Sequence, residues 1–390
     1  MKQATPRLFV PVCGGLSHTH THTRTHAHTH THLQGFAALK LTALGSPKLL
    51  ERMSTAIVES ARLFESFDRD GDGVVTHEEF EKTYKEIFKD ADAKLPALIP
   101  RLDPNNTGLI DYVEWSKLLT PRDLPRLVEG CRISGPLSAA APNPEELQLM
   151  LAMRKRLWEV AQCAYENDVG LLIDAEQTYY QPAIDNYVLS LMKEFNSNSK
   201  SPAPIIFNTY QCYLKDTFAR VSIDVDRAKR NDFHFAAKIV RGAYMNAERA
   251  RAEEQGYESP ICEDERATHE NYDRVVETLI RNREAMGNKQ EIMVATHNRE
   301  SIEKAVAIMN ELKMEGGVGV HFAQLLGMRD DLTFNLGNNK YKAYKYVPYG
   351  KVNEVMPYLI RRAQENSDIT KGMGAELKMI EKEFKRRVFG

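Results

Sequence analysis

Two adjacent arginines, Arg361 and Arg362, stand in an amphipathic stretch near the end of this chain of 390 residues. Tyr358 lies about one helical turn before the first arginine, and Glu365 lies about one turn after it. A guanidinium group can hold a carboxylate through two parallel hydrogen bonds, and neighbouring helical positions point about 100° apart. The pair therefore predicts a clamp on one small carboxylate, with a solvated helix face as the alternative interpretation.

Further polar residues follow short apolar runs, in the pattern expected at the carboxyl ends of barrel strands. Lys40 stands in an otherwise apolar strand, where a buried ammonium requires a counter-charge or a ligand. Asp174 and His297 have plainer alternatives, as a helix cap and as a core histidine. Gly242 and Ala243 would let a large flat ligand approach the backbone closely. These residues predict a site for a small carboxylate beside a planar, phosphate-bearing cofactor. The set comprises Lys40, Asp174-Ala175-Glu176, Gln211, Lys238 to Tyr244, Thr296-His297-Asn298, Gln324-Leu325 and Tyr346.

Seven short runs rich in Ile, Val, Leu, Phe and Ala alternate with amphipathic stretches. Such runs are typical of strands covered on both faces, and repeated strand–helix units predict a parallel sheet. No GxGxxG motif follows the early strands, so an α/β fold of the (β/α)8 TIM-like barrel type is favoured over a Rossmann fold. The predicted strands are Phe36–Ala43, Gly170–Ala175, Pro204–Tyr210, Phe233–Val240, Glu291–Ala295, Gly319–Gln324 and Tyr341–Val347.

The segment from Asp68 to Glu79 matches a twelve-residue calcium loop at every diagnostic position, and Gly73 permits its sharp turn. A second loop with fewer charges begins 35 residues later. Together they predict an inserted all-α EF-hand pair with a weaker second site. The alternative is an EF-shaped helical spacer with no regulatory role. The predicted Ca²⁺ ligands are Asp68, Asp70, Asp72, Val74 and Glu79 in the first loop and Asp103, Asn105, Thr107, Leu109, Asp111 and Glu114 in the second.

Composition and charge limit the function classes. A hydrophobic content of 42% is typical of a globular protein, and a net charge of -2 argues against nucleic-acid binding. Five scattered cysteines show no metal spacing and fit a reducing compartment. The Thr-His alternation in residues 1–34 predicts a disordered tail without an evident transit peptide. The other predicted divisions are 35–60 for the first retained strand and helix, 61–120 for the EF-hand pair, 121–144 for a linker, 145–372 for the rest of the barrel and 373–390 for a basic helix.

From residue 35 to about residue 372 the chain resembles eukaryotic proline dehydrogenase, a mitochondrial flavoenzyme with a distorted (β/α)8 barrel. The matching stretches are LKLTALG (39–45), LLIDAEQTYYQPA (171–183), IIFNTYQCYLKD (205–216), AAKIVRGAYMNAERA (236–250), MVATHN (293–298), FAQLLGM (322–328), YKYVPYG (344–350) and PYLIRRAQEN (357–366). The resemblance implies an FAD-dependent oxidoreductase acting on CH–NH donors. It would oxidise L-proline to 1-pyrroline-5-carboxylate and pass electrons to ubiquinone at the matrix side of the inner membrane. The basic stretch Glu376–Arg387 is expected to be a solvated helix, with peripheral membrane contact as the alternative.

The resemblance also implies roles at the matching positions. Asp174 and Lys238 correspond to catalytic positions, although bacterial members carry arginine in place of Lys238. The implied substrate-binding residues are Lys40, Arg361, Arg362, Tyr346, Tyr358, Tyr244 and Leu325. The implied cofactor-binding residues are Ala175, Gln211, Arg241, Gly242, Ala243, Thr296, His297, Asn298 and Glu365.

Two alternatives stay open. Hydroxyproline dehydrogenase shares most of these motifs, but Tyr346 favours proline because its ring would crowd the carbon that bears the hydroxyl in hydroxyproline. The family barrel also has one more strand before the Lys40 strand, and residues 1–34 lack its pattern. A barrel with two unpaired edges opens its core. Either the chain is an unstable, inactive isoform that retains calcium binding, or residues Thr5 to Val12 enter the gap.

Overall fold

The computed structural model describes residues 7–11, 33, 35–72, 74–118, 124–132, 135–314, 318–353, 355–356, 359–360, 377 and 381–389. Eight strands form a closed barrel, and a separate two-stranded sheet lies in the insertion. The strands are β1 (Arg7–Pro11), β2 (Gly35–Leu39), β3 (Val75–Thr76), β4 (Leu109–Ile110), β5 (Val169–Ile173), β6 (Ile206–Gln211), β7 (Phe235–Val240), β8 (Gln290–Ala295), β9 (Val320–Leu325) and β10 (Lys342–Pro348). From β2 through β5 to β10, neighbouring barrel strands run parallel. The seven predicted strands and the TIM-like fold class are therefore confirmed.

Strand β1 closes the barrel by pairing antiparallel with both β2 and β10. The prediction of a disordered tail over residues 1–34 is therefore wrong for Arg7–Pro11. The alternative, in which Thr5 to Val12 enter the gap, agrees with the observed strand. The physical reason is that β2 and β10 each present an edge of unpaired backbone groups, which an extended segment can satisfy. The Thr-His repeat itself lies outside the described residues.

Helices cover the outside of the barrel between its strands. They are α1 (Pro47–Glu65), α2 (His77–Ile87), α3 (Ala91–Leu102), α4 (Tyr112–Leu118), α5 (Leu124–Glu129), α6 (Pro136–Ala140), α7 (Pro144–Glu166), α8 (Gln181–Phe195), α9 (Thr217–Arg230), α10 (Met245–Gln255), α11 (Glu265–Met286), α12 (Arg299–Glu311) and α13 (Asp330–Asn338). Residues 381–389, within the predicted C-terminal helix, are also helical. Within the described part of the chain, no helix has the length and apolar character needed to cross a bilayer.

The barrel interior is filled by side chains. The buried Phe36 ring makes edge-on contacts with Phe207, His321 and Tyr344, at centroid distances of 5.1–5.4 Å. A second and larger apolar cluster packs the helices against the outside of the strands. Because the interior is packed and not hollow, chemistry is restricted to the strand ends and the loops that follow them.

The insertion contains both predicted calcium loops. The first loop joins α1 to α2, the second joins α3 to α4, and β3 pairs antiparallel with β4 between them. Phe67, Phe80 and Trp115 are fully buried in an aromatic core. Thr76 begins α2 with a capping box, in which Glu79 closes back on the Thr76 backbone. This arrangement is that of two paired helix–loop–helix units.

Candidate active site

The predicted functional residues gather at the carboxyl ends of the parallel strands. Lys40 follows β2, Asp174 follows β5, Gln211 ends β6 and Arg241 follows β7. Parallel strands present their carboxyl ends at one edge of a barrel, so their sequence order already places these groups on one rim.

Lys40 is held by Tyr244. The Lys40 ammonium donates a hydrogen bond of 2.5 Å to the Tyr244 hydroxyl, and its Nζ lies 5.3 Å from the centre of that ring. Burial lowers the pKa of Lys40, but the charges of Asp174, Tyr244 and Glu176 outweigh burial and raise the pKa above its usual value. Lys40 is therefore a charged ammonium at neutral pH. The sequence predicted a counter-charge or a ligand for a buried Lys40. In the structure Lys40 is half-buried and the charges of Asp174 and Glu176 act on it, and its substrate-binding role stays a prediction.

Asp174 and Lys238 form a buried ion pair across β5 and β7. The distance from Lys238 Nζ to Asp174 Oδ1 is 2.5 Å, and the two side chains are only 7% and 12% exposed. The two residues implied to be catalytic are thus in direct contact. The Asp174 charge also acts on Lys40, so one carboxylate serves two ammonium groups.

Glu176 anchors the segment that carries Lys40, a contact that the sequence did not indicate. Its carboxylate accepts hydrogen bonds from the Thr42 backbone N–H at 3.1 Å and from the Thr42 hydroxyl at 2.7 Å. The Glu176 N–H in turn donates to Gln181, and its carbonyl accepts from Gln211. The Lys40 segment is therefore tied to the loop that follows β5.

A second buried carboxylate, Glu248, fixes the far end of the same loop. It accepts hydrogen bonds of 2.6 Å from the Thr178 N–H and 2.5 Å from the Thr178 hydroxyl. Glu248 lies in α10, directly after the Tyr244 that holds Lys40. The loop after β5 is thus held at both ends. In the sequence, the only indication of this contact is a glutamate in a helix without a clear apolar face.

Arg241 is held flat at the ends of β7 and β8. Its guanidinium lies 4.3 Å from the centre of the Tyr272 ring and donates to His269, Thr296 and Ser301. These three contacts use three of its five N–H groups. Within the described part of the chain, two N–H groups of Arg241 remain for an anion.

His297 is neutral in this structure. Its Nε2 atom accepts a hydrogen bond of 3.0 Å from the Leu325 N–H, which assigns the proton to Nδ1. Burial, together with the nearby Lys345 and Arg329, lowers the pKa of His297 to about 4. His297 is half-buried, and both its predicted cofactor role and the alternative of a core histidine stay predictions. Asn298 caps α12, accepting from the Ser301 N–H.

Gly242 accommodates a tyrosine ring. Its φ of +144° is unfavourable for side-chain-bearing residues, and an added Cβ would lie 1.5 Å from Cδ1 of Tyr213. The close approach that the sequence predicted at this glycine is thus made by Tyr213. Ala243 beside it is exposed.

Tyr346 and Leu325 lie side by side at the ends of β10 and β9. Tyr346 is buried in the cluster that fills the barrel, and Leu325 is half-buried against the same cluster. The remaining predicted site residues, Tyr358, Arg361, Arg362 and Glu365, lie outside the described residues. The arginine clamp stays a prediction.

The donor set on this rim fits a flat, phosphate-bearing cofactor. Besides the Arg241 N–H groups, it presents the Nδ1–H of His297 and the buried amide of Gln211. Ala175 lies two residues after β5 and is buried, and the Thr296 hydroxyl accepts a hydrogen bond from Arg241. A cationic fork next to neutral donors suits a pyrophosphate and a heteroaromatic ring.

In the first calcium loop, three carboxylates converge. Ligand oxygens of Asp68, Asp70 and Glu79 all lie within 4.8 Å of one another. Backbone N–H groups at Gly71, Asp72 and Val74 point to loop carboxylates, as in a formed loop. Hydrogen bonds from Thr76 lower the pKa of Glu79, which keeps the closing residue anionic.

The second loop is formed differently. Asp103 is buried and accepts from the Thr107 and Gly108 N–H groups at 2.9 and 2.7 Å. These hydrogen bonds, Thr107 first, lower the pKa of Asp103 despite its burial. Glu114 pairs with Lys117 at 2.6 Å. The predicted ligand role of this loop has not been tested.

Comparison with known proteins places the chain in a family. The family described as proline dehydrogenase matches residues 55–375. The chain is 37% identical over 372 residues to the mitochondrial proline dehydrogenase 1 of Drosophila melanogaster. The aligned region covers 91% of this chain and 53% of that protein. It is 40% identical over 272 residues to the hydroxyproline dehydrogenase of Xenopus laevis. This aligned region covers 70% of this chain and 57% of that protein. The chain belongs to the proline dehydrogenase family.

The chain spans between half and two thirds of the length of these curated relatives. Among solved structures, its fold is similar to proline utilization A (PutA) from Bdellovibrio bacteriovorus inactivated by N-propargylglycine. The TM-score is 0.51, with 23% sequence identity, over 56% of this chain and 22% of that chain. This likeness supports the barrel fold.

Proposed function

We propose that this chain oxidises L-proline to 1-pyrroline-5-carboxylate with FAD as its cofactor. The observation that carries the proposal is the charged cluster on the barrel rim, in which Tyr244 holds Lys40 and Lys238 holds Asp174. Family membership supplies the reaction class, and the cluster supplies a binding place for an amino acid.

Lys40 would bind the substrate carboxylate. An ammonium has three donors, and Tyr244 takes one of them, so two are left for carboxylate oxygens. Because the pKa of Lys40 is raised, the charge is present throughout the neutral range. Arg361 and Arg362 would complete the clamp, as the resemblance implies. A charge-assisted pair of this kind orients the substrate as well as binding it.

Asp174 and Lys238 would set the electric field at the reacting carbon. As a buried pair their charges offset each other, so Lys40 retains attraction for an anion despite a nearby carboxylate. Contact between the two side chains fixes both orientations. Tyr346 and Leu325 would form the apolar wall against the proline ring and exclude water from it.

FAD would be held by Arg241, Gln211, Thr296 and His297, with Ala175, Gly242, Ala243, Asn298 and Glu365 as further contacts implied by the resemblance. FAD would supply a two-electron acceptor. Oxidation of the CH–NH unit of proline to C=N removes a hydride from the ring carbon next to nitrogen and a proton from the nitrogen. The neutral state of His297 suits a hydrogen-bond donor beside a flavin ring, since a second positive charge there would have to be desolvated.

The substrate preference would depend on Tyr346. Its buried ring favours proline over hydroxyproline. Hydroxyproline is the competing substrate because a hydroxyproline dehydrogenase is among the relatives of similar sequence identity. We expect Tyr346→Ser to raise kcat/KM for trans-4-hydroxy-L-proline and to lower it for L-proline. An unchanged ratio of the two values would remove this argument for proline.

The proposed site is tested by replacing Lys40. We expect Lys40→Ala to raise the KM for L-proline at least about tenfold, since it removes a charge-assisted pair of roughly 1.5–3 kcal/mol. Lys48→Ala, at an exposed position of α1, is the matched control and should leave the KM unchanged. Equal KM values for the two variants would contradict the assignment of Lys40.

A second proposed activity is calcium binding at the first loop. The convergence of Asp68, Asp70 and Glu79 favours it over an inert helical spacer. Asp72 and the Val74 carbonyl would complete the set of oxygen ligands. Because α1 runs from the Lys40 segment to this loop, we expect chelation to lower the melting temperature. Identical melting with calcium and with chelator would argue for the spacer.

The relatives and the resemblance support a proposal for the location and the electron acceptor. Several are named as mitochondrial proteins, and the resemblance implies ubiquinone at the inner membrane. In the C-terminal helix, Glu383 pairs with Arg386 and Arg387, while Phe384 and Phe389 are exposed. These rings would make the proposed peripheral membrane contact. Co-sedimentation with liposomes, lost in Phe384→Ser, would support it.

A further inference from the structure

Every acidic residue of the second predicted calcium loop contacts a nitrogen-bearing side chain of this chain. The His77 ring lies 3.1 Å from Asp103, the Lys117 ammonium lies 2.6 Å from Glu114, and the Arg230 guanidinium pairs with Asp111. A calcium site requires these same oxygens to face one ion. The donor set as built therefore does not fit a calcium ion.

The first loop shows the contrast. Its carboxylates converge, and across the described ranges no other group of three His, Cys, Asp or Glu side chains meets the same distance. Residues 103–118 are all described, so the second loop was included in that comparison. Two loops of similar sequence pattern have thus adopted different arrangements.

What the second loop does contact is the barrel. Arg227 and Arg230 lie one helical turn apart on α9 and reach the insertion together. Arg227 donates to the Ser116 hydroxyl at 2.7 Å, and its side chain is only 15% exposed. Arg230 reaches Asp111 from the same face of α9.

These polar contacts lie at the edge of a cavity between the insertion and the barrel helices. A cavity of about 360 Å³ lies between α1, α4, α8 and α9, and its lining includes Tyr112, Ser116, Asp224 and Arg227. Arg227 and Ser116 both line this cavity, so the hydrogen bond between them joins α9 to α4 across it.

Helix α9 links two strands of the proposed site. It follows β6, which ends in Gln211, and precedes β7, which carries Lys238. On the insertion side, the first loop reaches the second through β3–β4 pairing and through His77, which contacts both Asp103 and the Gly108 carbonyl. A continuous chain of contacts therefore runs from the first loop to the strand that carries Lys238.

We propose that the second loop is a docking clasp that fixes the insertion to α9 through Arg227 and Arg230 and takes no calcium ion. Combined with the proposed site at the first loop, on which this part rests, the chain binds one calcium ion. The clasp transmits the state of the first loop to the barrel.

The number of bound ions tests the first half. Equilibrium dialysis with calcium should give one ion per chain, none in Glu79→Gln and one in Glu114→Gln. Two ions per chain in the unaltered protein, or the loss of an ion in Glu114→Gln, would overturn the proposal.

Amide hydrogen exchange in the presence of chelator tests the clasp. The measurement needs no calcium, flavin or proline, so a negative result for the clasp is distinct from a failure of the proposed function. In Arg227→Ala/Arg230→Ala, amides of α4 should exchange about fivefold faster or more, with β5 to β8 unchanged. Lys229→Ala, on the same helix, should match the unaltered chain. If the arginine variant loses barrel protection, Asp111→Asn/Ser116→Ala tests the same contacts from the insertion. If either of these variants is folded and its α4 amides exchange as slowly as those of the unaltered protein, the proposal is overturned.

Discussion

Replacing Lys238 with methionine should destabilise the fold strongly, because it leaves Asp174 buried without its closest cation. The two side chains are 7% and 12% exposed, and breaking a buried pair from one side costs about 3–5 kcal/mol. Lys40 also interacts with Asp174 and compensates part of the loss. We therefore expect a value near the lower end, about 3 kcal/mol of unfolding free energy.

Urea unfolding followed by far-ultraviolet circular dichroism measures this change. The matched control is Lys215→Met, since Lys215 and Glu258 lie at the same distance of 2.5 Å but are 42% and 85% exposed. An exposed pair contributes about 1 kcal/mol or less. The double variant Asp174→Asn/Lys238→Met should recover part of the lost stability, because it leaves no lone buried charge.

Two results would refute this reasoning. One is a loss in Lys238→Met no larger than the loss in Lys215→Met. The other is a double variant as unstable as the sum of its single changes, since contacting residues in one ion pair should couple. Either result would mean that Asp174 and Lys238 do not form the buried pair on which the electrostatics of the site depend.

Three further variants test the surroundings of the pair. Tyr244→Phe, which removes the hydrogen bond to Lys40, should raise the KM for L-proline about three- to tenfold and leave kcat less affected; an unchanged KM would contradict the contact. Because the pKa of His297 is lowered to about 4, its stabilising effect is fully present above its unfolded pKa of about 6.5 and is lost as the pH falls toward 4. Unfolding free energies should show about 2 kcal/mol of such loss from pH 7 to pH 5, absent in His297→Gln. Gly242→Ala should lose flavin in absorbance spectra, because its methyl group would overlap a tyrosine ring, whereas Gly256→Ala, with a φ of +70° but open space, should keep flavin and lose only about 1 kcal/mol. Equal flavin contents in the two glycine variants would refute the overlap argument.

The sequence predicted the barrel well because each strand is a local signal. A run buried on both faces is visible in five or six consecutive residues, and the polar residue after it falls on the barrel rim by topology alone. Lys40 and Asp174 were found in this way, whereas Lys238 lies within β7. The distances between these side chains depend also on the register of the strands in the barrel, which cannot be read from their spacing in the sequence.

The features that were missed depend on partners far apart in sequence. Thr42 and Glu176 are 134 residues apart, and Arg230 and Asp111 are 119 apart. No local period marks such pairs. Strand β1 was predicted only as an alternative. It is a five-residue segment that ends in proline, and its strand structure depends on pairing with the edges of β2 and β10, which lie far from it in the sequence or come after it. The sequence predicted close approach of a flat ligand at Gly242, whereas the ring that lies against it in the structure is that of Tyr213.

The most direct test of the proposed function is anaerobic mixing of the purified, desalted chain with L-proline while the flavin absorbance is recorded. We predict a yellow protein whose visible absorbance bleaches on adding L-proline, with no bleach in Lys40→Ala at the same proline concentration and a bleach in Lys48→Ala. A protein that retains flavin reducible by dithionite but not by L-proline would contradict the proposed reaction. A colourless chain that still binds calcium would instead support an inactive isoform.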